Sequence, residues 1–256
     1  MAALLSARGY TTLALAYFAM PGLPATLDRI PLEYFGSALQ WFAGQPSVQA
    51  ERLGVVGASR GGELALLLGA SFRQLRCVVA YVPSGVTWGA YPSSGHSAWT
   101  LADQELAHAA PDEAQWEAAV AAGRAGPEEH GWYRFALQQS AVREQASIRV
   151  EQIQGPVPLI SGMDDGLWPS TELADLAVQR AWREKFAHRM DHLAYPEAGH
   201  GIGWPGGPTT VTRFTHPVSV EALDCGGTPA GNARARRDSW ARALDFLAQA
   251  LQTTGA

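Results

Sequence analysis

The segment 57–62, Gly-Ala-Ser-Arg-Gly-Gly, constrains the fold more strongly than any other part of this chain. It follows the apolar run 53–56 and precedes the run 63–68, an order that predicts a strand, a tight turn and a helix. The G-x-S-x-G pattern in that setting is typical of a strained turn that lifts a serine hydroxyl, here Ser59, out of the sheet. We expect glycines on both sides of the serine because a Cβ there would clash as the helix packs back on the strand. The alternative interpretation is a glycine-rich turn that contains a serine without chemistry.

Strand-like and helix-like segments alternate on both sides of this turn. Apolar residues in the segment 32–43 recur at i, i+3, i+7 and i+10, which predicts a helix with one buried face. Such alternation predicts an α/β fold, a mostly parallel sheet with helices on both faces, in a single domain over residues 1–256. The predicted strands are 10–17, 53–56, 77–82, 157–161 and 192–195. The predicted helices are 1–7, 32–43, a run from 61, 112–122, 170–186 and a final run from 229.

The segment 84–150 interrupts this alternation. It is rich in Gly, Ser, Trp and Ala, shows no clear strand, and carries many of the aromatic residues of the chain. We interpret it as a lid inserted into the domain, whose aromatic side chains line a substrate pocket. The alternative is a helical excursion whose aromatic side chains fill its own core.

A serine nucleophile needs a base within hydrogen-bond reach and an acid that orients the base. Reacting groups in open parallel sheets lie at the carboxyl ends of strands, and two later strand-end loops carry Asp164-Asp165 and His200. The chain order Ser59, Asp, His200 is that of the α/β-hydrolases. Only one of two adjacent acids points at the histidine where the backbone is extended; we favour Asp165 and keep Asp164 as the alternative. The backbone N–H of Arg60 is the predicted oxyanion donor.

Three of the other histidines, His96, His108 and His130, lie in the predicted lid and are interpreted as structural. His188 lies at the end of a predicted helix, a position favourable for the helix dipole, and His192 lies at the start of a strand. His216 lies in a late loop from which it could approach the site, but no local motif supports that role. No spaced cluster of ligands accompanies the two aspartates, so we predict no metal, and we predict no cofactor.

Composition narrows the classes of function. The net charge of −5 over 256 residues argues against nucleic acid and anionic membrane surfaces as partners. No stretch approaches the ~20 apolar residues that span a bilayer, and we see no signal peptide. Two cysteines, Cys77 and Cys225, form no disulfide framework, so we expect a reducing, cytoplasmic location. Cys77 lies in an apolar run and is predicted to be a buried, inert thiol.

A set of short motifs runs through most of the chain. They are 13–17 Leu-Ala-Leu-Ala-Tyr, 32–35 Leu-Glu-Tyr-Phe, 57–64 Gly-Ala-Ser-Arg-Gly-Gly-Glu-Leu, 162–168 Gly-Met-Asp-Asp-Gly-Leu-Trp, 195–200 Tyr-Pro-Glu-Ala-Gly-His, 226–229 Gly-Gly-Thr-Pro and 238–240 Asp-Ser-Trp. With these motifs the chain resembles the C-terminal catalytic domain of the type I acyl-CoA thioesterases and bile acid-CoA:amino acid N-acyltransferases. The resemblance implies an α/β-hydrolase fold, a triad of Ser59, Asp165 and His200, and hydrolysis of an acyl-CoA thioester. The acyltransferase members use cysteine as the nucleophile, so a serine at position 59 is more similar to the thioesterases.

Two departures from the family pattern concern the start of the chain. The family has a β-sandwich domain ahead of the catalytic one, and a strand with a Gly-rich loop before the first helix; this sequence shows neither. In the family's strand order that strand lies between 10–17 and 53–56, so we expect a gap beside the nucleophile strand and the loss of one oxyanion donor. Because Met1 falls inside an expected helix, we expect a truncated or mis-started reading frame with truncated N-terminal strands. The alternative is a shortened sheet that closes up and finds its second donor elsewhere.

The expected function is a serine hydrolase whose partner is a small acyl-CoA or ester substrate; the oligomeric state is not predicted. The alternatives are a generic carboxylesterase or dienelactone-hydrolase-like enzyme, and a non-catalytic hydrolase fold. A coenzyme A substrate needs cations for its phosphates, whereas the alternative role of such cations is a solvated helix face. The candidate cations are Arg60, Arg234, Arg236, Arg237 and Arg242.

Overall fold

A parallel four-stranded sheet lies at the centre of the computed structural model, which describes residues 1–110, 112–124, 130–216 and 220–252. The strands in chain order are β1 (Ile30–Pro31), β2 (Leu53–Ala58), β3 (Leu75–Tyr81), β4 (Trp99–Leu101), β5 (Gln104–Glu105), β6 (Val157–Gly162), β7 (Met190–Tyr195), β8 (Arg213–Thr215) and β9 (Ala222–Asp224). The α-helices are α1 (Ala2–Ser6), α2 (Leu32–Ala43), α3 (Arg60–Ser71), α4 (Glu113–Ala121), α5 (Gly131–Gln138), α6 (Ser140–Gln145), α7 (Ser170–Arg183) and α8 (Pro229–Ala250).

The central sheet has the strand order β2-β3-β6-β7, and each neighbouring pair is parallel. Every residue of β6 is buried, as are all but one of β3. Strands covered on both faces require apolar side chains at successive positions, which explains the continuous apolar runs in the sequence. The predicted mostly parallel sheet is confirmed.

The two faces of β3 contribute to two separate cores. Val78 and Ala80 pack in a cluster with α2, α3 and α7, whereas Cys77, Val79 and Tyr81 pack in a cluster with α8. This alternation follows from the two-residue period of a strand. Helices therefore cover both faces of the sheet, as predicted.

The strand predicted at 10–17 is wrong. These residues have no regular secondary structure, although an apolar and Thr-rich composition favours a strand. A cavity of about 710 Å3 is lined by this segment on one side and by β2 on the other. In the described part of the chain, β2 pairs only with β3, so the expected gap beside the nucleophile strand is present. A strand needs a neighbour for its backbone groups, and 10–17 has none there.

The described residues of the predicted lid form the helices α4, α5 and α6 and the short strands β4 and β5, which the sequence did not indicate. The helix predicted at 112–122 is confirmed as α4, with Asp112 as N-cap accepting a bond from the backbone of Gln115 at 2.9 Å. Strands β4 and β5 form a small sheet with β1. They are only two or three residues long, too short to show a periodicity. Residues 111 and 125–129 of this segment lie outside the described residues.

Between the short turn after His200 and the final helix, β8 pairs antiparallel with β9. The final helix is confirmed as α8. It begins with Pro229 at its first position and with Thr228 as N-cap, which accepts a bond from the backbone of Gly231. Among the described residues, no helix is long and apolar enough to cross a membrane.

Candidate active site

Ser59 lies at the junction of β2 and α3. Its backbone has φ 58° and ψ −127°, a sparsely populated conformation that costs of order 1–3 kcal/mol and clusters at functional sites. A Cβ on Gly57 would lie 1.8 Å from the carbonyl oxygen of Gly61, and one on Gly62 would lie 2.8 Å from that of Tyr81. Because these approaches leave no room for a Cβ, glycine is required at positions 57 and 62 for the predicted strand–turn–helix to form.

Gly61 is different from its neighbours, which corrects one expectation. A Cβ built on Gly61 meets nothing within 4 Å. The steric need for glycine therefore falls on Gly57 and Gly62, whereas the glycine that completes the G-x-S-x-G pattern is not required by space.

The backbone N–H of Arg60 donates to no partner among the described residues. It lies at the first position of the 12-residue helix α3, where the helix dipole is positive. An N–H in this place is able to donate to an oxygen anion that develops next to Ser59.

The side chain of Arg60, a candidate contact for coenzyme A phosphates, makes its hydrogen bonds within the protein. Its guanidinium donates to Glu63 at 2.8 Å and to the carbonyl oxygens of Trp88 and Gly89 at 3.1 and 2.9 Å. It is thus bound to its own helix and to the lid, and these contacts leave it poorly placed for a substrate phosphate.

Glu63, which is fully buried, also bonds both α3 and the lid. Its Oε1 accepts bonds from the indole N–H of Trp99 at 2.7 Å and the backbone of Trp88 at 3.2 Å. Burial raises the pKa of the Glu63 carboxyl, while Arg60 and the two N–H donors oppose that effect. The pair of Arg60 and Glu63 therefore fastens the lid to the helix that begins after the serine.

Asp165 and His200 form a buried pair. The Nδ1 atom of His200 lies 2.8 Å from Oδ2 and 3.0 Å from Oδ1 of Asp165, and both side chains are almost fully buried. Oδ1 also accepts bonds from the backbones of Leu167 at 2.9 Å and Trp168 at 3.3 Å, which fix the carboxylate. Asp164 is exposed. The structure thus places Asp165 on the histidine, the residue that the sequence favoured.

His200 begins a short 3-10 helix, His200–Gly203, directly after the β7 loop. A Cβ on Gly203 would lie 2.9 Å from the Cβ of Ala58, so this turn packs against the residue that precedes Ser59. The structure contains no hydrogen bond between Ser59 and His200, and Nε2 of His200 is buried without a partner among the described residues. Nε2 is the ring nitrogen that a serine would engage when Nδ1 is held by an acid. Such contacts are often long in a free enzyme and tighten with substrate.

Aromatic side chains surround the histidine. The rings of Trp168 and Trp204 lie 5.9 and 6.0 Å from that of His200. The ring centroids of Trp168 and Tyr133 of the lid are 6.1 Å apart, and those of Tyr133 and Trp88 are 4.9 Å apart. Burial raises the pKa of Tyr133 to about 12, so it stays a neutral hydroxyl at physiological pH. Trp88 and Tyr133 of the lid pack with Trp168 in a small core that reaches the histidine through Trp168, whereas Trp99 of the lid packs in the main core.

A second Ser-His-Asp arrangement exists that the sequence did not indicate. Nε2 of His192 lies 2.7 Å from Oγ of Ser161, and Nδ1 lies 2.8 Å from Oδ1 of Asp175. Ser161 is fully buried within β6 and also bonds Thr171 at 2.9 Å. Because Ser161 is inaccessible to a substrate, this network is structural and links β6, β7 and α7.

Two of the other arginines considered as contacts for coenzyme A phosphates are paired with carboxylates. Arg234 pairs with Glu197, and Arg242 pairs with Asp238. In the described ranges, no three His, Cys, Asp or Glu side chains are grouped so as to hold a metal ion.

The parallel sheet, the strained serine turn and the buried acid–histidine pair together define an α/β hydrolase. Residues 30–253 match the family described as "BAAT / Acyl-CoA thioester hydrolase C terminal", and the chain belongs to that family.

Similar proteins agree with this assignment. Acyl-coenzyme A thioesterase 6 of Homo sapiens is 30% identical over 250 residues, which are 96% of this chain and 55% of that protein. Acyl-coenzyme A amino acid N-acyltransferase 1 of Mus musculus is 29% identical over 255 residues, 99% of this chain and 57% of that protein. The chain thus spans just over half the length of these relatives.

A solved structure agrees on the fold. MGS-M1, an α/β hydrolase enzyme from a Medee basin deep-sea metagenome library, superposes with a TM-score of 0.52 at 14% identity. The match covers 98% of this chain and 75% of the other.

Proposed function

We propose that residues 1–256 form a single catalytic domain that hydrolyses acyl-CoA thioesters through an acyl-enzyme on Ser59. The observation that carries this proposal is the buried pair of Asp165 and His200, whose turn packs against the residue before Ser59. Membership of a thioester hydrolase family supports the thioester as substrate class. A cytoplasmic location, expected from the sequence, stays a prediction.

The proposed reaction uses each side chain in one role. Nε2 of His200 takes the proton from Ser59 as its oxygen attacks the thioester carbonyl, and Asp165 holds the imidazolium that forms. The N–H of Arg60 stabilises the oxyanion. The tetrahedral intermediate then collapses, the C–S bond breaks, and the proton on His200 passes to the departing thiolate. In the second half, water deprotonated by His200 attacks the ester carbonyl, the bond between that carbon and the oxygen of Ser59 breaks, and His200 returns the proton to Ser59 as the free acid leaves.

Two features support hydrolysis rather than transfer to an amine. The nucleophile is a serine, as in the thioesterase members that the motifs resemble. A serine ester is also less reactive toward amines than a thioester at cysteine, which leaves water as the acceptor.

The test measures free thiol released from acyl-CoA of several chain lengths by the purified chain. We expect turnover that Ser59→Ala abolishes, together with covalent labelling of Ser59 by a fluorophosphonate. Ser161→Ala is the matched control, because Ser161 also bonds a histidine but is buried; this variant should keep labelling and turnover. A folded protein that shows neither labelling nor turnover dependent on Ser59 would contradict the proposal and favour a non-catalytic hydrolase fold.

A second candidate, a carboxylesterase, is favoured by one observation. Three of the five cations expected to meet coenzyme A phosphates are instead paired with carboxylates: Arg60, Arg234 and Arg242. An ester without phosphates needs no such cations. Turnover of p-nitrophenyl esters at Ser59 without turnover of any acyl-CoA would select this candidate.

A further inference from the structure

Two buried polar side chains of α8 hold the backbone on both sides of His200. Oδ1 of Asn232 accepts a hydrogen bond from the backbone N–H of Gly199 at 2.8 Å. Arg236 donates to the carbonyl oxygen of Gly201 through Nε at 2.9 Å and Nη2 at 2.6 Å. The two side chains are four residues apart and so lie on one face of the helix. Their exposed fractions are 1% for Asn232 and 6% for Arg236.

Arg236 is a buried charge whose partners are carbonyl oxygens. Besides Gly201, it donates to the carbonyl of Gly207 at 2.5 Å. Within the described ranges, no carboxylate lies within ion-pair distance of this guanidinium. Desolvation lowers the pKa of Arg236, which shows that its charge is held at a cost. A helix that needed only to pack against the sheet would be served better by an apolar side chain at this position.

The position of the clamped turn determines where the histidine lies. The backbone N–H of His200 donates to the carbonyl oxygen of Cys225 at 2.7 Å. Residues 199, 200 and 201 are therefore each held by a hydrogen bond to another part of the chain. The turn continues to Gly203, which packs against Ala58 beside the nucleophile. A shift of the turn would therefore move the imidazole relative to Ser59.

We propose that Asn232 and Arg236 are positioning residues that fix Nε2 of His200 at the distance from which it accepts the proton of Ser59. Neither side chain touches the substrate. This inference rests on the proposed function, since it assigns His200 the role of base. Misplacement of a reacting group by 1 Å costs on the order of 100-fold in rate.

The test compares variants of both clamp residues in the full chain, with acyl-CoA or, if only esters react, a p-nitrophenyl ester as substrate. Arg236→Gln and Asn232→Leu remove one clamp each, and we expect kcat to fall by about 10- to 100-fold with KM changed less than about twofold. Asn232→Asp keeps the acceptor oxygen and should retain most of the activity. Arg73→Gln is the control, because Arg73 is exposed and lies just before β3, at the end of the sheet opposite the His200 turn.

Chemical rescue separates positioning from mere stability. Millimolar guanidinium should restore part of the kcat of Arg236→Ala, by occupying the vacated site, and should leave Ser59→Ala inactive. Folding is checked by circular dichroism; should the Arg236 variants fail to fold, the Asn232 pair decides the question.

The outcomes for the two proposals are distinct. An inactive but folded wild-type protein would contradict the proposed function. An active wild type, with folded Arg236→Gln and Asn232→Leu variants of unchanged kcat, would overturn the positioning role and leave the function intact. A loss of melting temperature without a loss of kcat would likewise overturn it.

Discussion

Nδ1 of His200 lies 2.8 Å from Oδ2 of Asp165, and both side chains are almost fully buried. The acid is itself held by backbone N–H groups of its own loop. A carboxylate in this position favours the tautomer with the proton on Nδ1, which in the proposed mechanism leaves Nε2 to act as the base.

The two adjacent aspartates give a matched pair of variants. Asp165→Asn should lower kcat on the order of 10⁴-fold, because the amide no longer enforces the correct tautomer. Asp164→Asn should leave kcat within about twofold, since Asp164 is exposed. Steady-state kinetics of both variants on one substrate check the prediction. Equal losses in the two variants would mean that the loop as a whole, rather than Asp165, matters.

The glycines of the serine turn give a second matched pair. Gly57→Ala should prevent the turn from closing, since its Cβ would overlap the carbonyl of Gly61, and we expect an unstable or inactive protein. Gly61→Ala meets open space within a helix and should stabilise the protein by up to ~1 kcal/mol. Urea unfolding measures both effects. A Gly61→Ala variant as damaged as Gly57→Ala would show that the turn differs from the one described.

The ion pair of Arg60 and Glu63 predicts a large effect on stability. Glu63→Gln leaves the guanidinium without a counter-charge, so the free energy of unfolding should fall by about 3 kcal/mol, the lower end for a broken buried pair. The amide oxygen still serves the two N–H donors from the lid, which limits the loss. Glu172→Gln, which breaks an exposed pair with Arg134, should change stability by less than about 1 kcal/mol. If both variants lose equally little, the buried pair does not fasten the lid.

Neither cysteine should react with thiol reagents in the native protein. Burial raises the pKa of Cys77 to about 12 and that of Cys225 to about 11, so almost no thiolate exists at pH 8. Reaction with Ellman's reagent should require urea, and rapid labelling of the native protein would contradict the described burial.

The same two thiols predict a loss of stability in alkali. The folded state keeps their protons above the ordinary pKa of 9.0, whereas the unfolded chain releases them. Their contribution to the free energy of unfolding is therefore complete below pH 9 and falls as the pH rises toward 11 and 12. Cys77→Ala should weaken this pH dependence in urea unfolding measured between pH 8 and 11. An unchanged dependence in that variant would assign the alkaline loss to other groups.

The sequence predicted the parts of this site that local rules determine. The serine turn is encoded by neighbouring glycines, and the order of Ser59, Asp165 and His200 follows from strand ends that share one edge of the sheet. The choice between Asp165 and Asp164 also concerned one of these loops, because only one of two adjacent acids points at the histidine where the backbone is extended. These features need only the chain direction and the positions of strands.

Contacts between distant segments were not predictable in the same way. The strand expected at 10–17 has a suitable composition but lacks a partner, because pairing depends on tertiary neighbours. The link from Ser161 through His192 to Asp175 joins residues up to 31 positions apart; the pairing of β6 with β7 brings the first two together, and the packing of α7 on the sheet adds Asp175. The clamp of Asn232 and Arg236 on the His200 turn is likewise a product of how α8 packs, so arginines on one helix that look alike in sequence have different environments.

The open side of β2 has a consequence for the nucleophile itself. Among the described residues β2 is an edge strand, and it lacks on one side the ladder bonds that hold β3 and β6 on both. Such an edge is the part of a sheet that exchanges amide hydrogens first and that accepts a strand from another molecule most readily. A strand added at this edge would lie directly beside the residues that lead to Ser59.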